Sequence, residues 1–315
     1  MLFAVHISDG VLAWPWLAAG FALAAVLLWL AARRIRDEEI PRVAILSAAF
    51  FVSSLIHVRV PPTSIHLLLT GLVGVVLGPR AALAIFVGLL LQVLLFQHGG
   101  YWTLGVNTCV MTIPALLCFG LYRMLHRIPW IHSPVSRSLL VGVGAAIWFM
   151  SGVYSLSLLL NTSLTKLDEV ALYVANMRLL DPWIGGGAIL FAVVAVALER
   201  RLENAPEFPL GFLVGELSVL MTVALNCVVL LAGGEKLSSM MILGLMIAHL
   251  PFAVVEGVIL GFVVGFLAKV KPEMLGLTRI PIVVFPGVVA HPEVKASEAI
   301  MVKDTGIIRR ADDER

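Results

Sequence analysis

The sequence predicts an all-α, polytopic integral membrane protein, a bundle of about 7–9 transmembrane helices with its N-terminus outside. Three observations carry that expectation. The chain of 315 residues is 60% hydrophobic and 13% charged, with a mean hydropathy of +1.00, whereas about a quarter of the residues of a soluble domain are charged. Its apolar residues come in separate blocks of roughly membrane-spanning length, not in the short alternating runs of an outer-membrane barrel. Lys and Arg lie mostly between those blocks, where they set orientation.

The first block, "VLAWPWLAAGFALAAVLLWLAA", is followed by Arg33, Arg34 and Arg36. By the positive-inside rule this first connecting loop is cytoplasmic. Residues 43–58 return across the bilayer, and further apolar blocks cover about residues 64–77, 81–96, 104–125, 139–160, 184–198, 210–231 and 240–268. Arg80, Arg123, Arg127, Arg137, Arg200, Arg201, Lys269 and Lys271 then all fall on the side of the first loop. The segment "TSLTKLDEVALYVANMRLLDPW" is expected to be an outer loop with an amphipathic helix. Residues 1–275 read as one transmembrane domain, in which 137–209 form an added helix pair with its outer loop. Residues 276–315 read as a cytoplasmic tail too short to be a domain.

Two stretches break the apolar pattern. Tandem prolines in "RVPPT" forbid helix and hold the chain extended just before the block at 64–77. In "FQHGGYWTLGVNT", paired glycines, aromatics and an asparagine separate two apolar runs, as in an outer or re-entrant loop. Together with the N-terminal "HISDG" they put three polar, irregular elements on one face.

Several chemistries are excluded or unsupported. The net charge of +2 is too small to suggest a nucleic-acid partner, and the absence of a GxxxxGK[ST] motif argues that no nucleotide is bound by this chain in the P-loop manner. No HExxH appears, so a membrane metalloenzyme lacks its usual base and ligands. Cys109, Cys118 and Cys227 fall inside apolar segments without CxxC spacing and read as packing residues.

His6 in "HISDG" and His66 in "PPTSIHLLLTG" both lie toward the outer face. Imidazole is the commonest protein ligand for late first-row divalent metals. Read alone, two histidines favour an interfacial His6 and a backbone-bonded His66 over a shared ion. However, "HISDGVL" followed by "VPPTSIHLLLTGLVGVVLGPRAALAIFVGLLLQVLLFQHGGYWTLGVNTCVM" resembles the CbiM/NikM family, the metal-binding membrane subunits of energy-coupling factor (ECF) importers for cobalt and nickel. The later "AHLPFAVVEGVILGFVVGFLAKVKPEML" resembles that family's last helix.

The resemblance implies a four-nitrogen, square-planar site made of the terminal amine, the next backbone amide, that residue's imidazole and a second histidine. Carried over, the rings are those of His6 and His66, with Asp9, Ser64 and Asn107 placed around them to orient the ligands. The implied cargo is Co(II) or Ni(II). The implied partners are a CbiQ-like coupling subunit, CbiO-like ATPases and a small CbiN/NikN-like membrane protein. The sequence departs from the family pattern in that His6 stands sixth and not second. A translation start at Val5, as from a GTG codon, would restore the Met-His beginning. Ser8 also stands where the family has proline.

The chosen expectation is an ECF-type importer subunit, and the alternative is an ion-coupled secondary transporter, which would place carboxylates near the midplane. Glu256, seven residues after His249 on one helix face, is an intramembrane carboxylate and therefore a functional candidate, structural or coupling in the first instance. Glu216 is a similar case nearer the cytoplasmic end. Gly257, Gly261 and Gly265, like Gly74 and Gly78, are spaced for close helix approach. His57, His98, His126, His132 and His291 read as loop or interfacial residues, His98 being the one expected as an extra ligand on the entry path.

Overall fold

The structure, a computed structural model, describes residues 3–4, 6–60, 63–128, 133–160, 181–201, 207–234 and 249–277. The expected amphipathic outer helix, the tail beyond residue 277, the first nine residues of the block at 240–268, and Met1, Val5, His132 and His291 fall outside them. So does the side chain of Ser64. Among the described residues the helices are α1 (Trp14–Ala32), α2 (Ile40–Leu55), α3 (Thr70–Leu77), α4 (Ala81–Phe96), α5 (Leu104–His126), α6 (Pro134–Leu160), α7 (Pro182–Arg201), α8 (Phe208–Gly233) and α9 (Leu250–Val270). Among the described residues six stretches are long and apolar enough to cross a membrane: α1, α5, α7, α8, α9 and residues 70–96.

Residues 70–96 do not make one crossing. The chain breaks at Gly78, whose positive φ suits glycine, and passes through a short 3₁₀ turn, Gly78–Arg80. Arg80 there donates to the carbonyls of Ala31, Arg33 and Arg34 at 2.8, 3.1 and 2.7 Å, and pairs with Glu39 at 3.3 Å. The turn therefore sits at the basic end of α1. The half-length α3 descends to it and α4 climbs back.

The block expected as helix over 64–77 starts as a strand instead. Three short strands, β1 (Phe3–Ala4), β2 (His57–Val60) and β3 (Thr63–His66), form a sheet in the order β1-β3-β2. β2 and β3 flank the tandem prolines as an antiparallel hairpin, and β1 joins β3 in parallel. Helix begins only at Thr70, after Leu69 in the left-handed region.

The helices pack as lipid-facing bundles do, with small residues inside and large ones outside. α1 buries Gly20, Ala24 and Ala31 while Phe21, Val26 and Trp29 stay exposed. α8 and α9 run antiparallel and meet through glycines: a Cβ on Gly211 would lie 2.9 Å from the Cα of Gly261, and one on Gly215 would lie 2.8 Å from that of Gly257. α6 and α7 pack chiefly on each other, joined at their basic ends by Arg137 and Glu199 at 3.0 Å. A buried polar node of Thr70, Ser218 and Thr222 links α3 to α8.

Candidate metal centre

The β1–β3 register brings two distant histidines together. Phe3 pairs with Thr63 and Ala4 with Ser64, and His6, just past β1, meets His66 at the end of β3. Their rings stack, with centroids 4.7 Å apart and planes 12° from parallel.

A third imidazole closes the group. α4 ends with Gln97 at positive φ, Gln97 N–H donating to the Val93 carbonyl at 3.1 Å and His98 N–H to the Gln92 carbonyl at 3.2 Å, a left-handed stop. This turns His98 edge-on to both other rings, at 4.8 Å from His6 and 5.3 Å from His66. The ligating atoms of His6, His66 and His98 all lie within 4.8 Å of one another.

His6 and His66 are buried, and neither ring nitrogen of His6 has a hydrogen-bond partner among the described residues. Burial first, then the neighbouring His66, His98 and His249 rings, push the His6 pKa well below its ordinary 6.5. His6 is therefore a neutral nitrogen donor at physiological pH. The Nδ1 of His66 lies 3.0 Å from the Leu67 carbonyl. That oxygen can only accept, so Nδ1 carries the proton and Nε2 keeps the lone pair.

The segment bearing His6 is fastened by residues that touch its backbone. Asn107 Oδ1 accepts from the Ile7 N–H and its Nδ2 donates to the Ile7 carbonyl, both at 2.9 Å; the Thr103 hydroxyl donates to the same carbonyl at 2.6 Å. The Asp9 carboxylate accepts the N–H groups of Tyr101, Trp102 and Thr103 at 3.0–3.1 Å. It thus holds, from another part of the chain, the turn that leads into α5 and the N–H of its N-cap residue Thr103. Further along, Leu12 bridges to Gly234 and Ala13 N–H donates to Gly233.

Among the residues singled out in the sequence, His6 and His66 meet in the cluster, while Asp9 and Asn107 hold the backbone beside His6. Ser64 lies on β3 two residues before His66, and nothing further is described of it. His98 enters the cluster itself, closer than a place on an entry path. Its signal in sequence was the Gln-His-Gly-Gly run that ends α4.

The CbiM family model, described as the cobalt uptake substrate-specific transmembrane region, matches residues 6–201 and 176–274. The chain belongs to the CbiM family. A putative metal transport protein of Haemophilus influenzae is 37% identical over 207 residues, covering 64% of this chain and 99% of the relative. The cobalt transport protein CbiM of Geobacter sulfurreducens is 35% identical over 35% of this chain and 34% of its own length. A fused nickel transport protein NikMN of Rhodobacter capsulatus is 35% identical over 35% of this chain and 33% of its own. The alignment thus spans about a third of each of these last two relatives.

A crystal structure of a transition metal transporter superposes with a TM-score of 0.51 at 21% identity, covering 85% of this chain and 94% of the other. It shares the fold. This CbiM-family chain is accordingly a multi-pass membrane protein of a cobalt and nickel transport family, not an enzyme.

Proposed function

We propose that this chain is the substrate-binding membrane subunit of an ECF-type importer, and that it captures Co(II) or Ni(II) at its outer face on the nitrogens of His6, His66 and His98. The observation that carries the reading is the convergence of three imidazoles, two of them buried, on the face opposite the arginine-rich end. Neutral imidazoles suit late first-row ions and reject magnesium and calcium, which prefer oxygen. The stacked His6 and His66 rings share an ion when one of them rotates, since the metal lies near the plane of each ring it binds. Asp9 and Asn107 fix the backbone around which that rotation occurs.

Release inward is driven, in this reading, by ATP hydrolysed in CbiO-like partners and transmitted through a CbiQ-like membrane subunit, with a small CbiN/NikN-like protein assisting. Glu256 gives little support to an ion-coupled alternative, because both its oxygens are engaged by backbone N–H groups. The test is uptake of radioactive nickel and cobalt by cells that express the chain with and without the ATPase subunits. Uptake that requires the ATPases and disappears in His66→Ala supports the proposal. Uptake by the chain alone that collapses with the proton or sodium gradient rejects it.

A further inference from the structure

We infer that Glu256 is a positioning residue for the metal centre, a carboxylate on α9 that fixes the strand-to-helix junction carrying His66. The inference rests on the reading of His66 as a ligand given above.

Glu256 is buried on α9 and its two oxygens accept the N–H groups of Leu68 and Leu69, the latter at 2.9 Å. Those amides precede α3, whose own N-cap position is Leu69, without a side-chain cap and at φ 50°. A helix starting inside an apolar bundle leaves its first N–H groups open, and no lipid can satisfy them. Glu256 satisfies the one at the N-cap residue Leu69, and with it the Leu68 N–H just before, across 187 and 188 positions of sequence. Leu68 is two residues from His66, so the junction has little slack in between.

A second tie is independent of the carboxylate. The Thr70 hydroxyl, at the first position of α3, lies 2.7 Å from that of Ser218 on α8. α8 and α9 are themselves locked together at the Gly211–Gly261 and Gly215–Gly257 contacts. The backbone after His66 is thus pinned at two points to one rigid helix pair. His249, seven residues before Glu256, is buried at the start of the same helix.

The test uses the purified full chain with Ni(II) and Co(II) salts as probes, comparing wild type, Glu256→Gln, Glu216→Gln and His66→Ala. Glu256→Gln puts an amide NH₂ where one backbone N–H now finds an acceptor, and the expected result is metal affinity weakened about 10-fold or more, with a shifted visible spectrum of the bound Co(II). Glu216→Gln, on α8 beside Gly257, is expected to bind as wild type with an unchanged spectrum. Wild-type affinity and spectrum in Glu256→Gln, with binding lost in His66→Ala, overturn the inference and leave the metal reading standing. Equal weakening in Glu216→Gln also overturns it, because general loosening of the bundle would then explain the effect. Failure of wild type to bind either ion overturns the metal reading itself, and the inference with it. Should Glu256→Gln not fold, Glu256→Asp carries the test, since its carboxyl group stands one methylene short of the Leu68 and Leu69 amides: several-fold weaker binding supports the inference, and unchanged binding overturns it.

Discussion

Asn107 grips the N–H and the carbonyl of Ile7 together, and so determines where the neighbouring His6 ring stands without itself being a ligand. Asn107→Ala removes both buried hydrogen bonds to Ile7, each contributing about 1 kcal/mol, together with a longer one to the Thr103 hydroxyl, and is expected to weaken metal affinity about tenfold, as read by competition with a chromogenic chelator. His6 also sets a pH dependence. Its pKa lies below the ordinary 6.5 in the folded chain because burial and three neighbouring imidazoles oppose its charge. The undocked segment takes up a proton first, so docking is fully stable above about pH 6.5 and weakens as pH falls below that value. Thermal unfolding of the metal-free chain at pH 7.5 and pH 5.5 is expected to show a lower midpoint at the acid value. An unchanged midpoint would contradict the buried, neutral His6.

At the scale of the element, α8 and α9 depend on the missing side chains of their glycines. A Cβ on Gly257 would stand 2.8 Å from the Phe212 carbonyl, so Gly257→Ala has to push backbone away from backbone. It is expected to cost about 1–3 kcal/mol, seen as a lower melting temperature in detergent. Gly120 on α5 has nothing within 4 Å of such an atom, and Gly120→Ala is expected to be neutral or stabilising by up to about 1 kcal/mol.

The glycine stripe was legible in the sequence, as were most helices, because lipid-facing segments announce themselves by length and hydropathy. The block at 64–77 was not. Leu67, Leu68 and Leu69 are as apolar as any helix, and what keeps them out of one is the hairpin before them and the Glu256 cap brought from α9. The pairing of β1 with β3 was equally hidden, since two-residue strands carry no periodicity. His6 and His66 were legible only through motif resemblance, and their stacking and the inward turn of His98 depend on non-local contacts that no single segment encodes.

Across the whole molecule, chemistry and charge sit at opposite ends. The imidazole cluster lies where the N-terminal segment, the β2–β3 hairpin and the loop before α5 converge, while Arg80, Arg123 and Arg137 lie among the helix ends on the other side. This separation fits the proposed capture of the ion on one face and a drive from the other. The measurement that tests this account most directly is the metal content of the purified full chain after exposure to Ni(II) or Co(II), in wild type, His66→Ala and His98→Ala. The account predicts about one ion per wild-type chain, loss of that ion in His66→Ala and weaker retention in His98→Ala. A wild-type chain that retains no metal, or variants that retain as much as wild type, would contradict it.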